Sequence, residues 1–148
     1  MSDFTPSNPD YARVVHESFS KQGLMSTLGA RIVTLEPGYC VIEMPYSAAV
    51  SQQQGFFHNG AVGAIADTAA GYAAYSLMPP GAEILTTEYK INLVRAAVPP
   101  VLRAEGRVLR AGKTLTVCRA DIYHERANGP ELCALLQATM MRVDPVAK

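Results

Sequence analysis

Six residues between positions 52 and 67 concentrate the chemistry of this chain: Gln52, Gly55, His58, Asn59, Gly60 and Asp67. Asp67 is the lone acid in the longest apolar run of the sequence, from Phe57 to Leu77, which holds no proline. A carboxylate in apolar surroundings can act as nucleophile or general base, because desolvation raises its pKa. It is costly to ionise there and seldom present by accident. Backbone N–H groups around Asn59 and Gly60, at a helix start, favour a developing negative charge. Together these are parts for attack on a carbonyl, with an oxyanion stabiliser at one end. The competing reading is a structural Asp satisfied by hydrogen bonds in a core.

The element that must position them is a helix. At about 100° per residue, the Asp67 face collects Gly60, Gly63, Ala64, Ala70, Gly71 and Ala74, all Gly or Ala. The opposite face collects Val62, Ile65, Ala69 and Tyr72. One side carries bulk for a core, and the other is nearly bare backbone that a ligand or second chain can approach. Asn59 and Asp67 are eight positions apart, hence about 12 Å along one helix. A single carbonyl cannot touch both. Two copies related by a two-fold axis can bring one helix start to the other Asp67, so the spacing points to an obligate dimer with shared sites.

The chain has 148 residues, 49% hydrophobic, with 13 basic and 13 acidic side chains. One domain with an ample core is expected. Zero formal charge argues against a nucleic-acid binder or a membrane-surface protein, and the Asp-containing run is too short and too rich in Gly and Ala for a membrane span. Cys40, Cys118 and Cys133 show no CxxC spacing, and Cys118 and Cys133 read as buried hydrophobes. The N-terminus lacks the pattern of a signal peptide, and a reducing cytoplasm is the expected compartment. His16, His58 and His124 are scattered without ligand spacing, so no metal is expected. Gly112-Lys113-Thr114 lacks the upstream glycine of a phosphate-binding loop and reads as a hairpin turn; no GxSxG elbow exists.

Taken in order, residues 1–8 read as a leader, with Ser7 or Asn8 capping a helix that runs to about Lys21 and stops at Gly23. Leu24 to Leu28 is a connector or short turn. Ala30–Glu36 and Tyr39–Met44 alternate around Pro37-Gly38 as a hairpin. A polar loop leads to the central helix, which the double proline Pro79-Pro80 ends. Four strands follow: Leu85–Val94, Val101–Ala111, Thr114–Glu125 and Glu131–Val143. The division expected is 1–24, leader and helix, and 25–148, a single domain. The class is α+β, with a curved antiparallel sheet wrapped around one long central helix.

In these features the chain resembles the hotdog-fold acyl-CoA thioesterases, nearest to the phenylacetate-degradation, PaaI-like type. The resemblance covers roughly residues 25–143. It is strongest over 52–75, in the His-Asn-Gly helix start and in Ala-Asp-Thr-Ala-Ala-Gly-Tyr-Ala around Asp67. It implies hydrolysis of an acyl-CoA with no metal or redox cofactor, coenzyme A being part of the substrate. It implies a homodimer with shared sites and a tetramer built as a dimer of dimers. By position, Asp67 is the nucleophile or general base, and the Asn59 N–H polarises the carbonyl from the partner. His58 shapes that helix start, with Gly60 beside it, and Gln52 lies near the catalytic acid. Thr86 or Thr87 supplies a hydroxyl that positions water. Asn59 stands where the family has the first glycine of a pair, a departure that bears on substrate range. Two alternatives remain open at this point: a hotdog hydratase or dehydratase, and a non-catalytic acyl-CoA-binding module.

Overall fold

The computed structural model describes residues 3–145. Two short helices, α1 (Tyr11–Ser20) and α2 (Gly23–Thr27), precede the hairpin β1 (Arg31–Glu36) and β2 (Tyr39–Pro45). The central helix α3 (Asn59–Tyr75) is followed by β3 (Glu83–Leu93), β4 (Val101–Ala111), β5 (Leu115–Arg126) and β6 (Gly129–Val143). The strands form one antiparallel sheet in the order β1-β2-β4-β5-β6-β3. The expected helix, hairpin, helix and four strands are all present, within a residue or two of the expected bounds at most ends.

Strand alternation sets the buried face. Leu102, Ala104, Gly106 and Val108 of β4, with Thr116, Cys118, Ala120 and Ile122 of β5, turn inward as the period-two pattern requires. Helix α3 covers them, packing most heavily on β4 and then on β2 and β5. The approach is close because both partners are small. A Cβ on Gly106 would lie 2.6 Å from the Ala70 nitrogen and closer still to the Ala69 carbonyl. Ile42, Met44, Ile65, Leu136 and Met140 are among the largest fully buried side chains of the core.

Three expectations need correction. The first helix is not capped by Ser7 or Asn8. The Asn8 side chain accepts from the Asp10 N–H at 2.9 Å, which holds a turn, and the helix begins two residues later behind Asp10. Gly23 does not end the helical region. The chain extends only at Gln22 (ψ 102°) and re-enters helix at Gly23. The bare face of α3 is also narrower than its residue types implied: Gly63, Ala70 and Ala74 are buried, while Gly60, Ala64, Asp67, Thr68 and Gly71 stay at least partly open. Much of the small-residue run is therefore explained by close packing on the sheet.

Strand β3 is the outer edge on the side of Asp67, paired only with β6. Leu85, Tyr89, Leu93 and the adjoining Val94 are each at least 43% exposed. A long edge strand with open apolar side chains is a template for pairing with another chain. Among the described residues, no helix is long and apolar enough to cross a membrane.

Candidate active site

The start of α3 is built by the loop before it. Gly55 takes a positive φ of 81°, which lets residues 51–57 turn tightly. Ser51 bridges to Phe57, and the His58 N–H donates to the Val50 carbonyl at 2.8 Å. His58 is the N-cap, with its Nδ1 accepting from the Gly60 N–H at 2.8 Å. The imidazole lies so close that a Cβ on Gly60 would sit 2.9 Å from it, so glycine there makes the cap possible. Asn59 is the first helical residue rather than the cap. The His58 and Gly60 amides are thus both engaged. The Asn59 N–H has no acceptor among the described residues, and Asn59 is exposed. One outward donor remains at a helix N-terminus, the geometry for holding an oxygen that gains negative charge.

Two turns further on, Asp67 is half-buried and accepts a hydrogen bond from the Thr86 hydroxyl at 2.8 Å. Burial pushes its carboxyl above the ordinary aspartate range, and the Thr86 hydrogen bond opposes that rise. The other carboxylate oxygen has no partner among the described residues. Thr86 also contacts the Met140 sulfur at 3.3 Å.

A β-bulge decides which threonine does this. The β3–β6 register slips between Thr86 and Glu88, leaving Thr87 as the extra residue. Thr86 therefore faces α3, while the Thr87 hydroxyl donates to the Thr139 carbonyl at 2.9 Å. The same slip turns Tyr89 toward α3, where its hydroxyl stands 3.9 Å from the place a Gly63 Cβ would occupy. Sequence reasoning missed Tyr89, because only the paired register reveals the bulge.

Gln52 is not brought to Asp67 within the chain. Its side chain is folded back on its own turn, accepting from the Gln54 N–H and donating to Gln54 Oε1 at 3.2 Å. Several arginines are engaged away from this site: Arg107 with Asp121, and Arg95 and Arg126 with Glu131.

A cavity of about 130 Å³ opens beside Asp67. Its walls include Gly71 and Tyr72 of α3, Thr86 of β3 and, unexpectedly, Ser18 and Gln22 from the N-terminal region. Gln22 Nε2 donates to the Tyr72 hydroxyl at 2.9 Å, and Ser18 Oγ lies 3.1 Å from the same oxygen. Ser18 stands on the face of α1 that also carries Val14 and Val15, and a polar residue on an apolar stripe was the available signal. The three histidines remain apart: His16 is exposed, His58 caps α3, and His124 is buried with its Nε2 2.9 Å from Glu131.

Residues 54–130 match the sequence profile of the Thioesterase superfamily. A solved thioesterase family protein from Silicibacter pomeroyi is 42% identical, with a TM-score of 0.89 covering 91% of this chain and 99% of that one. The proofreading thioesterase EntH of Klebsiella pneumoniae is 27% identical over 121 residues, 82% of this chain and 88% of that protein. The E. coli PaaI protein of the phenylacetic acid degradation operon shares the fold, with a TM-score of 0.82 at 21% identity over 96% of this chain and 99% of that one.

Proposed function

The chain belongs to the Thioesterase superfamily, a thioester hydrolase of hotdog fold, and from that premise we propose that it hydrolyses acyl-CoA thioesters at sites shared between two copies. The observation that carries this reading is the division of one helix. Its single open amide, on Asn59, lies at one end, and the half-buried Asp67 lies about 12 Å further along. Neither part suffices alone. Antiparallel docking of two copies through the open β3 edge brings each helix start toward the other copy's carboxylate.

In that assembly the thioester carbonyl oxygen accepts from the Asn59 N–H, which stabilises the oxyanion as the tetrahedral centre forms. Thr86 holds one oxygen of Asp67, leaving the other to attack the carbonyl carbon or to take a proton from the attacking water. Burial makes this carboxylate more basic than an ordinary one, which favours either role. The thiolate of coenzyme A then leaves, and no metal or redox group enters these steps. His58 positions the helix start. Gln52 lies on the loop tied to it, so the same docking carries that loop toward the shared site, where its side chain exchanges Gln54 for the carboxylate. The Nδ1 of His58 is spent on the Gly60 N–H, which suits the cap role.

The test uses a substitution suited to the backbone. Proline is accommodated at the first helical position and lacks an N–H. The residue before it must be extended, as His58 already is at φ −66° and ψ 135°. Asn59→Pro therefore deletes the donor and keeps the helix. Asn59→Pro and Asp67→Ala each lower thiol release from acyl-CoA by about a hundredfold or more. A heterodimer of the two variants, isolated by two different tags, has one site with both wild-type parts and recovers about half of the wild-type rate. An inactive heterodimer, or a fully active wild-type monomer, overturns the shared site.

A further inference from the structure

The outward Asn59 amide is held in place through a loop without regular structure, residues 94–100, which joins β3 to β4. The Ala97 carbonyl of this loop accepts from the Phe57 N–H at 2.9 Å, one residue before the His58 cap. The Pro100 carbonyl accepts from the Tyr46 N–H at 2.8 Å, and the Tyr46 and Phe57 rings meet edge to face at 5.2 Å. The loop is itself hung from β5 and β6 at two points. One is a bulge in β6: the register slips and leaves Cys133 as the extra residue, and its carbonyl accepts from the N–H groups of Val94 and Arg95. The other is His124 of β5, whose side chain is fully buried and whose Nδ1 accepts from the Val98 N–H at 3.3 Å.

The bond to Val98 fixes the tautomer of the ring. An accepting nitrogen carries no proton, so the proton of the neutral imidazole sits on Nε2 and points to Glu131 Oε2 at 2.9 Å. Arg126 Nε lies 3.1 Å from the same Nε2 and 3.2 Å from Glu131 Oε2. With Nε2 already a donor, Arg126 gives its N–H to Glu131. The hydrogen bond from His124, ahead of Arg126 and Arg95, holds the Glu131 carboxyl below the ordinary glutamate range.

Resting on the reading that the Asn59 N–H stabilises the oxyanion, we infer that His124 is a positioning residue for the hydrolysis: with its proton held at Nε2 by Glu131, it sets the loop that aims the Asn59 amide. The path is short. His124 holds Val98, the adjacent Ala97 holds Phe57, and Asn59 is two residues further on. The Val98 N–H has no other acceptor among the described residues. Without the ring nitrogen, the loop must turn that amide to water, and the Ala97 carbonyl moves with it. A shift of about 1 Å in a group that meets the reacting atoms costs up to about a hundredfold in rate.

The experiment treats the two ring nitrogens separately, with thiol release from acyl-CoA as the assay. Asparagine places its Oδ1 near the position of Nδ1, and glutamine places its amide nitrogen near that of Nε2. His124→Asn therefore keeps the acceptor for Val98, and His124→Gln keeps the donor to Glu131. His124→Gln is expected to lower kcat by about tenfold or more with KM little changed, because the Asn59 amide acts on the transition state. His124→Asn is expected to retain most of the wild-type kcat. Both variants lose one buried contact and melt lower, so a merely structural role would lower their rates alike. Glu131→Ala changes a side chain that is 36% exposed and serves where His124→Gln does not fold. It frees Arg126 to donate to Nε2, which drives the ring proton to Nδ1 and against the Val98 N–H, and it should lower kcat several-fold. Both effects are then measured in the Asn59→Pro background, where the amide is absent and each should vanish. Equal kcat in His124→Asn and His124→Gln, wild-type kcat in Glu131→Ala, or effects that persist undiminished with Asn59→Pro overturn this inference and leave the hydrolase reading intact. Wild-type thiol release by Asn59→Pro alone overturns both.

Discussion

Gly71 offers a perturbation whose stability and activity effects run in opposite directions. It lies one turn beyond Asp67 and lines the cavity, and a Cβ built on it meets no atom within 4 Å. Alanine therefore enters without a clash. Alanine is favoured over glycine inside a helix by about 1 kcal/mol. For a chain near this size that raises the melting temperature by about 2–4 °C. The added methyl projects into a cavity of about 130 Å³, where one methylene of misfit is worth about 1–3 kcal/mol, or about 10- to 200-fold in kcat/KM.

Gly71→Ala should thus melt higher by a few degrees while losing at least about tenfold in kcat/KM on acyl groups that fill the cavity. Acetyl-CoA, which does not reach it, should lose much less. Thermal denaturation followed by circular dichroism gives the first quantity, and thiol release over a chain-length series gives the second. A lowered melting temperature would refute the reasoning, because it would mean that another surface occupies the space above Gly71. A raised melting temperature with an unchanged chain-length profile would refute the assignment of the cavity to the acyl group.

Three further outcomes follow from the same geometry. Asp67 has a raised carboxyl pKa, so the folded state holds its proton where the unfolded state has lost it. Its contribution to stability then falls as pH rises from the unfolded to the folded value. Asp67→Asn should therefore match wild type in acid and melt higher at neutral pH, as measured by thermal scans against pH, with thiol release reduced by at least about a hundredfold. The acid limb of the wild-type rate should lie above the ordinary aspartate range, and a limb within that range would contradict burial as the controlling effect. Gly106→Ala should destabilise by about 1–3 kcal/mol or more in urea titrations, since its Cβ would enter the backbone of α3 at Ala69; a neutral result would mean that helix and sheet are not in close contact there.

Much of the fold was legible because its signals are local. Period-two alternation marked β4 and β5, Pro37-Gly38 marked the hairpin, and the uninterrupted apolar run marked α3. What stayed hidden depends on pairing between distant segments. No short turn joins β3 to β6, so nothing in the sequence placed β3 at the sheet edge, and the bulge that separates Thr86 from Thr87 exists only in that pairing. At the helix start, the loop bonds to Val50 and Ala97 fix the chain so that His58 takes the cap position, which its residue type alone does not signal. At the other end of the site, the Ser18–Tyr72–Gln22 contact links residues 50 and 54 positions apart. The sequence showed only the polar intruder on an apolar stripe.

The glycines and alanines of α3 serve two ends that a single explanation would blur. Those facing the sheet let the helix settle onto Gly106, and this contact fixes where the helix lies. On the Asp67 face, Gly71 leaves room that no described residue fills. The two are coupled, because a helix behaves as a rigid rod over its 17 residues. Anything that lifts α3 off β4 also displaces the Asn59 amide at one end and Asp67 further along it. In a two-fold assembly a single tilt disturbs both sites, since each site takes one part from each helix. A mild packing variant at Gly106 that still folds should therefore lose activity more steeply than stability, with kcat/KM falling before the urea midpoint moves far. Loss of activity strictly in proportion to the unfolded fraction would show that the sites tolerate the tilt, and that α3 is not the element that sets their spacing.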